Sequence, residues 1–256
     1  MKPSFFIIGI PRSGTTTLYH YLSQHPDIFM CHPKEPNYFN KDNVKEALAF
    51  MPKDKAFPFT KTEEDYLKLF ENKEGNIAGE ATINYFYSEK APEEIKKFNP
   101  EAKLILILRE PVSFLESFYN QLFFVGLEDS KTFSQALDSE RERKLGKNIP
   151  ENTRYPSQLF YSEKIRYTQH IKIWLKHFPK EQIKIILYDD FKEDNIKVYK
   201  EILNFLELES TFTPKIEWTN TKKKLRKPSL QKFSSKISSQ NRTIQNILPK
   251  SLYKEL

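Results

Sequence analysis

The chain has 256 residues, a net charge of +7 and a pI near 9.1. That length suits one large α/β domain or two small ones with a real buried core, and the basic balance is compatible with an anionic ligand as well as with plain solubility. One cysteine, Cys31, excludes an intrachain disulfide, and no run approaches the roughly 20 apolar residues of a membrane span.

Residues 5–10, FFIIGI, form an apolar run ended by Pro11, short enough to be one buried strand. A tight turn follows, Pro11-Arg12-Ser13-Gly14-Thr15-Thr16-Thr17, after which Leu18, Tyr21 and Leu22 recur at helical spacing. Strand, hydroxyl-rich turn and helix start together make an anion trap. The first N–H groups of a helix lack intrahelical partners, and its dipole is positive there. Gly9 and Gly14 have the G-x-x-x-x-G spacing of a nucleotide P-loop, but Thr15 and Thr16 stand where that motif has Lys and Ser/Thr. Arg12 is the only cation in the turn. Without the loop Lys a triphosphate loses its usual clamp, so the turn suits one smaller anion.

Pro11-Arg12-Ser13-Gly14-Thr15-Thr16 resembles the 5′-phosphosulfate loop of the PAPS-dependent sulfotransferases, PAPS being 3′-phosphoadenylyl sulfate. The resemblance implies that Arg12, Ser13, Gly14, Thr15, Thr16 and Thr17 hold the donor. Arg12 would also steady the charge on the leaving oxygen. Many members have Lys where Arg12 stands, and Arg does not give up a proton at ordinary pH.

A short extended piece over 27–30 leads into Cys31-His32-Pro33-Lys34-Glu35-Pro36-Asn37-Tyr38-Phe39, where the two prolines exclude a helix. A Glu in a stiff loop after a strand is a candidate general base for an attacking hydroxyl, and His32 is its rival. Lys34-Glu35 followed by Tyr38-Phe39 resembles the K-E-x-x-F-F segment of the glycan-type enzymes. That implies Glu35 as base, with His32 and Lys34 on the acceptor side. Residues 41–76 are polar, broken by Pro52 and Pro58, and read as a loop with one helical patch around Tyr66, Leu67, Leu69 and Phe70. Residues 77–82 form a short strand carrying Gly79-Glu80. With Tyr85 it resembles the acceptor-lining segment G-E-x-[ST]-P-x-Y, although Ile83 takes the Pro position. Glu80 is open to three readings: a second acid/base group, a partner for Arg12, or a buried structural carboxylate.

A helix is expected over 91–99, then the strongest strand, residues 103–108, ending at Arg109. A cation there faces the crevice where α/β sheets bind ligands, in place of the acid that organises Mg²⁺ in an NTPase. Pro111 opens a helix, and Ser117 lies about two turns in. Arg109 and Ser117 resemble the family's 3′-phosphate site. Residues 127–153 read as charged and partly irregular, with Arg141, Arg143, Lys144 and Lys147 a solvated face.

Residues 155–178 read as one long amphipathic helix or two, on the stripe Tyr167, Ile171, Trp174 and Phe178. The stripe resembles a family segment that makes Tyr167 a cofactor contact, with Ile165 where the family has Gly. A buried strand over 182–188 ends at Asp189-Asp190-Phe191, and 192–206 continues as a helix whose first turn favours those acids. No cluster has metal-ligand spacing. Trp218 through Leu230 resembles the loop that closes over the cofactor, matching Asn220, Arg226 and Pro228, beside the basic cluster Lys222, Lys223, Lys224, Arg226 and Lys227.

The expected fold is a single P-loop-NTPase-like α/β domain over 1–230, a central parallel sheet flanked by helices, with 231–256 a helical extension of it. The resemblance implies in-line sulfuryl transfer from PAPS, leaving PAP, to a hydroxyl or amine of a carbohydrate or other small metabolite, with no metal. The alternatives are a nucleoside or sugar kinase using ATP and Mg²⁺, and a nucleic-acid-binding protein built on the basic cluster. The lone cysteine and the absence of a signal-peptide pattern lead to the expectation of a soluble cytoplasmic protein. No nucleic-acid partner and no membrane span are expected.

Overall fold

The computed structural model describes residues 1–51, 59–71 and 75–215. Phe5–Gly9 (β1), Ile28–Met30 (β2), Ile77–Ala81 (β3), Lys103–Leu108 (β4) and Ile183–Leu187 (β5) form one sheet in the order β2-β3-β1-β4-β5. Every pairing is parallel. The helices in chain order are Thr15–Leu22 (α1), Lys41–Phe50 (α2), Glu63–Lys68 (α3), Ala91–Phe98 (α4), Pro111–Phe124 (α5), Phe133–Asp138 (α6), Glu140–Arg143 (α7), Tyr161–Lys164 (α8), Tyr167–Leu175 (α9), Tyr188–Glu193 (α10) and Asn195–Phe205 (α11). The expected P-loop-like α/β architecture is present. No helix among the described residues is long and apolar enough to cross a membrane.

The described residues group into two compact units. One holds the sheet and comprises residues 1–42, 59–109 and 173–215; the other comprises 43–51 and 110–172. In the sheet unit, β1 and β4 are near-continuous apolar runs because both faces are covered. On one face Phe5, Ile7, Ile105, Ile107 and Ile186 pack with Leu18, Tyr21 and Leu22 of α1 and Tyr199, Ile202 and Leu203 of α11. Across the strands, Phe6 meets Phe39, and Phe39 packs edge-on to Tyr66, Tyr85 and Phe98. Each such side chain taken from water contributes roughly 1.5–3 kcal/mol, so both layers are needed to hold the strands in register. Gly79 on β3 leaves room for the Phe5 ring, which a Cβ there would meet at 2.1 Å.

The second unit departs from the sequence reading in three places. Residues 155–178 hold two helices, α8 and α9, the second of the two forms expected, but helix does not start at 155: Pro156–Leu159 is a 3₁₀ turn, and Phe160 at ψ 74° cannot propagate it. A tertiary demand wins there, because the Tyr161 hydroxyl donates to buried Glu128 at 2.8 Å. Nor is Arg143 part of a solvated face. It is 2 % exposed and forks onto Glu128 at 2.6 and 2.7 Å. Burial pushes the Glu128 carboxyl up, but Arg143, the Ser130 N–H and the Tyr161 hydroxyl outweigh it and hold it below the ordinary carboxylate range. Arg141, Lys144 and Lys147 are exposed as expected. A third departure is α2, inside the stretch read as loop.

Candidate functional site

The sheet unit gathers its chemistry at the carboxyl ends of the strands. After β1 the chain turns at Ile10, whose N–H donates to Ile107 O at 3.0 Å, and α1 starts at Thr15. The turn requires Gly14: its φ is +80°, and a Cβ would press on the Phe191 ring at 3.0 Å. α1 has no acidic residue in its first turn, so its positive end is not neutralised from within the helix. Ser13, Thr15 and Thr17 are buried and Thr16 is half-buried. Ser13 Oγ donates back to Pro11 O at 3.4 Å.

Arg12 is exposed and left-handed at φ +63°, a conformation that costs a non-glycine residue on the order of 1–3 kcal/mol and persists only where its surroundings impose it. Arg109, at the end of the neighbouring strand β4, imposes part of it, donating from Nη1 to Arg12 O at 2.9 Å. The Arg109 guanidinium also lies over the Tyr188 ring, 4.8 Å from its centroid. Packing around the Arg12 guanidinium, and then the charge of Arg109, push Arg12 below its ordinary pKa, against a smaller opposite pull from Tyr188. Two cations held close beside an open helix start form a seat for a multiply charged anion. This donor set fits a phosphosulfate and its phosphates.

The second cluster follows β2. Cys31 N donates to Gly79 O and Glu35 N to Ala81 O, both at 3.0 Å, so this loop runs on along β3. Glu35 and Asn37 are left-handed at φ +64° and +55°. Lys34 Nζ meets Glu35 Oε1 at 2.9 Å, and both side chains are partly buried. His32 is exposed.

Glu80 and Tyr85, expected to line the acceptor site, lie in the interior, each with no exposed surface. Of the three readings open for Glu80, the structure has the buried carboxylate. Register sets this: Glu80 sits opposite Phe6 on β1, inside the sheet. It accepts from the hydroxyls of Tyr66, Thr82 and Tyr85. Burial pushes its pKa up to about 7, against those donors. The native state therefore holds a proton that the unfolded chain gives up near pH 4.5, and this contribution to stability, full below pH 4.5, is lost as pH rises through 7. Relative to Glu80→Gln, the wild type is expected to lose up to about 3 kcal/mol of unfolding free energy between pH 5 and 8. Parallel denaturant titrations across that range measure it, and a constant difference between the two proteins would contradict the buried titration.

Ser117 and Tyr167 belong to the second unit. Ser117 is half-buried on α5, which Glu110 caps by accepting from the N–H groups of Val112 and Ser113. Tyr167 is buried, its ring 6.3 Å from that of Phe114. Arg226, the basic cluster around it and the 231–256 extension lie outside the described residues. Tyr188 is the site residue that sequence reading passed over. The strand-end pattern Tyr-Asp-Asp marked its position but drew attention to the acids. Among the described residues no group of three or more His, Cys, Asp or Glu could hold a metal ion.

A family model described as "Sulfotransferase domain" matches residues 2–254. Among curated proteins, the chain is 28% identical over 214 residues to the human "Bifunctional heparan sulfate N-deacetylase/N-sulfotransferase 3", covering 80% of this chain and 22% of that protein. It is 27% identical over 210 residues to the mouse "Heparan sulfate glucosamine 3-O-sulfotransferase 5", covering 80% of this chain and 54% of the relative. The chain thus spans between about a fifth and a half of the length of these relatives. Among solved structures, a sulfotransferase from Alicyclobacillus acidocaldarius superposes with a TM-score of 0.78 at 25% identity, over 96% of each chain.

Proposed function

The chain belongs to the sulfotransferase family, and we propose that it moves a sulfuryl group from PAPS to a hydroxyl or amine of a carbohydrate or other small metabolite. The observation that carries this reading is the pairing of Arg12 with Arg109 across β1 and β4, beside a helix start that has no acid of its own. PAPS, when bound, supplies the sulfuryl group and a PAP leaving group. The N–H groups of residues 13–17 and the Thr16 hydroxyl bind the 5′-phosphate. Arg12 meets the charge that develops on the leaving oxygen, a role a fixed cation fills without proton transfer. Arg109 takes the 3′-phosphate through its planar fork, and the Tyr188 ring keeps that fork in plane. Glu35 takes the acceptor's proton, and Lys34 Nζ, 2.9 Å from its Oε1, orients the carboxylate.

The named relatives act on heparan sulfate and its glucosamine, so a glucosamine-containing oligosaccharide is the first acceptor to try. Calorimetric titration of PAP without Mg²⁺ tests the donor half. Binding in the micromolar range is expected, tighter than ATP, and weakened at least tenfold in Arg109→Ala, since losing hydrogen bonds to a charged group costs about 1.5–3 kcal/mol each. ATP binding more tightly than PAP, or only with Mg²⁺, would point to a kinase instead.

A further inference from the structure

We propose that Glu80 is a positioning residue for Glu35, acting from inside the sheet through the hydroxyls of Thr82 and Tyr85. The inference rests on the reading of Glu35 as the base. The loop that carries Glu35 is fastened to β3 and the turn after it at alternate residues. Glu35 N donates to Ala81 O at 3.0 Å, Asn37 N to Thr82 Oγ1 at 3.5 Å, and Phe39 N to Tyr85 Oη at 3.2 Å. Asn37 also closes on Glu35 directly, its Nδ2 donating to Glu35 O at 2.7 Å. The first fastening is backbone to backbone; the other two end on hydroxyls.

A hydroxyl has one proton to give, and its lone pairs are then free to accept. Thr82 gives its proton to Glu80 Oε1 at 2.6 Å, and Tyr85 gives its proton to the same carboxylate. Once ionised, above about pH 7, the carboxylate only accepts, so it turns both hydroxyls the same way and leaves their lone pairs toward Asn37 and Phe39. The loop needs this help. Glu35 and Asn37 both sit at left-handed φ, which relaxes to extended backbone unless neighbours hold it. In Glu80→Gln one carboxylate oxygen becomes an NH₂ donor, so Tyr66, Thr82 and Tyr85 can no longer all donate to the group, and the set of hydroxyls that fastens the loop loosens while volume and packing stay the same.

The test compares Glu80→Gln with wild type at pH 8, where Glu80 is ionised, by amide hydrogen exchange and by conversion of PAPS to PAP, using a heparan-type glucosamine oligosaccharide or water as acceptor. Exchange at Asn37 and Phe39 is expected to rise at least tenfold, with the amides of β1 and β4 unchanged. The kcat is expected to fall about tenfold while calorimetric PAP affinity stays within twofold. Unchanged exchange at Asn37 and Phe39 would overturn the inference. So would exchange that rises equally through β1 and β4, which marks a role in the fold alone. Local loosening with unchanged kcat, in a protein that Glu35→Gln inactivates, would overturn it and leave the base reading standing. Full turnover in Glu35→Gln would remove the base reading, and this inference with it.

Discussion

Replacing Arg12 by alanine is expected to lower kcat by roughly 10²–10³-fold, the range seen when one preorganised charge-stabilising donor is removed. Such a group is worth most when it is already in place, since no reorganisation accompanies bond breaking. Arg12 meets that condition. Its backbone is locked at φ +63°, its carbonyl is held by Arg109, and its charge is kept close to a second cation. Affinity for PAP should fall less than turnover, because Arg109 and the α1 N–H groups still bind phosphate. Arg12→Lys restores the charge but not the planar fork and is expected to recover part of the rate. Steady-state rates of PAP release measure both variants, and a drop of less than about threefold in Arg12→Ala would remove Arg12 from the transition state.

The largest effect on stability is expected at Arg143. Arg143→Ala leaves the Glu128 carboxylate buried without its charge partner, and breaking a buried pair in this way costs about 3–5 kcal/mol. The pair is among the most enclosed polar groups described: the two side chains are 1 % and 0 % exposed. Arg143 also reaches Asn148 O from Nε at 3.1 Å and Ser130 Oγ from Nη2 at 3.1 Å. The penalty comes from the stranded charge, so Glu128→Gln should reduce the damage done by Arg143→Ala. Urea unfolding of the single and double variants decides this. If the two losses simply add, the cost lies in packing around the Arg side chain rather than in the unpaired carboxylate.

The parts of the molecule that could be read from sequence are those in which chemistry and periodicity act locally. The run 5–10 is apolar at every position but one, and only a strand covered on both faces uses such a run. The turn after it has a glycine where φ +80° is needed, and β4 ends in Arg109 for all to see. Other features depended on partners far along the chain. Arg143 looked like its exposed neighbours because charge alone does not reveal that Glu128 lies 15 residues back, under Tyr161. Glu80 allowed three roles until strand register placed it opposite Phe6. The helix α2 escaped notice because its buried side is Asn43, Val44 and Ala47, with too little apolar contrast to show a stripe. Tyr188 drew no attention because an aromatic residue at the end of a strand is ordinary until a guanidinium is found on its face.

The strand order has a consequence for how the chain is made. β1 lies in the middle of the sheet, yet it precedes both its neighbours in the chain: Phe5 pairs with Gly79 on one side and Lys103 on the other. A ribosome adding about 5–20 residues per second takes on the order of 4–15 s to travel from the first of these residues to the second, and longer to the third. Throughout that interval the segment FFIIG has no neighbouring strand to join. Nascent copies therefore carry an unpaired, highly apolar stretch ahead of the turn that bears Arg12.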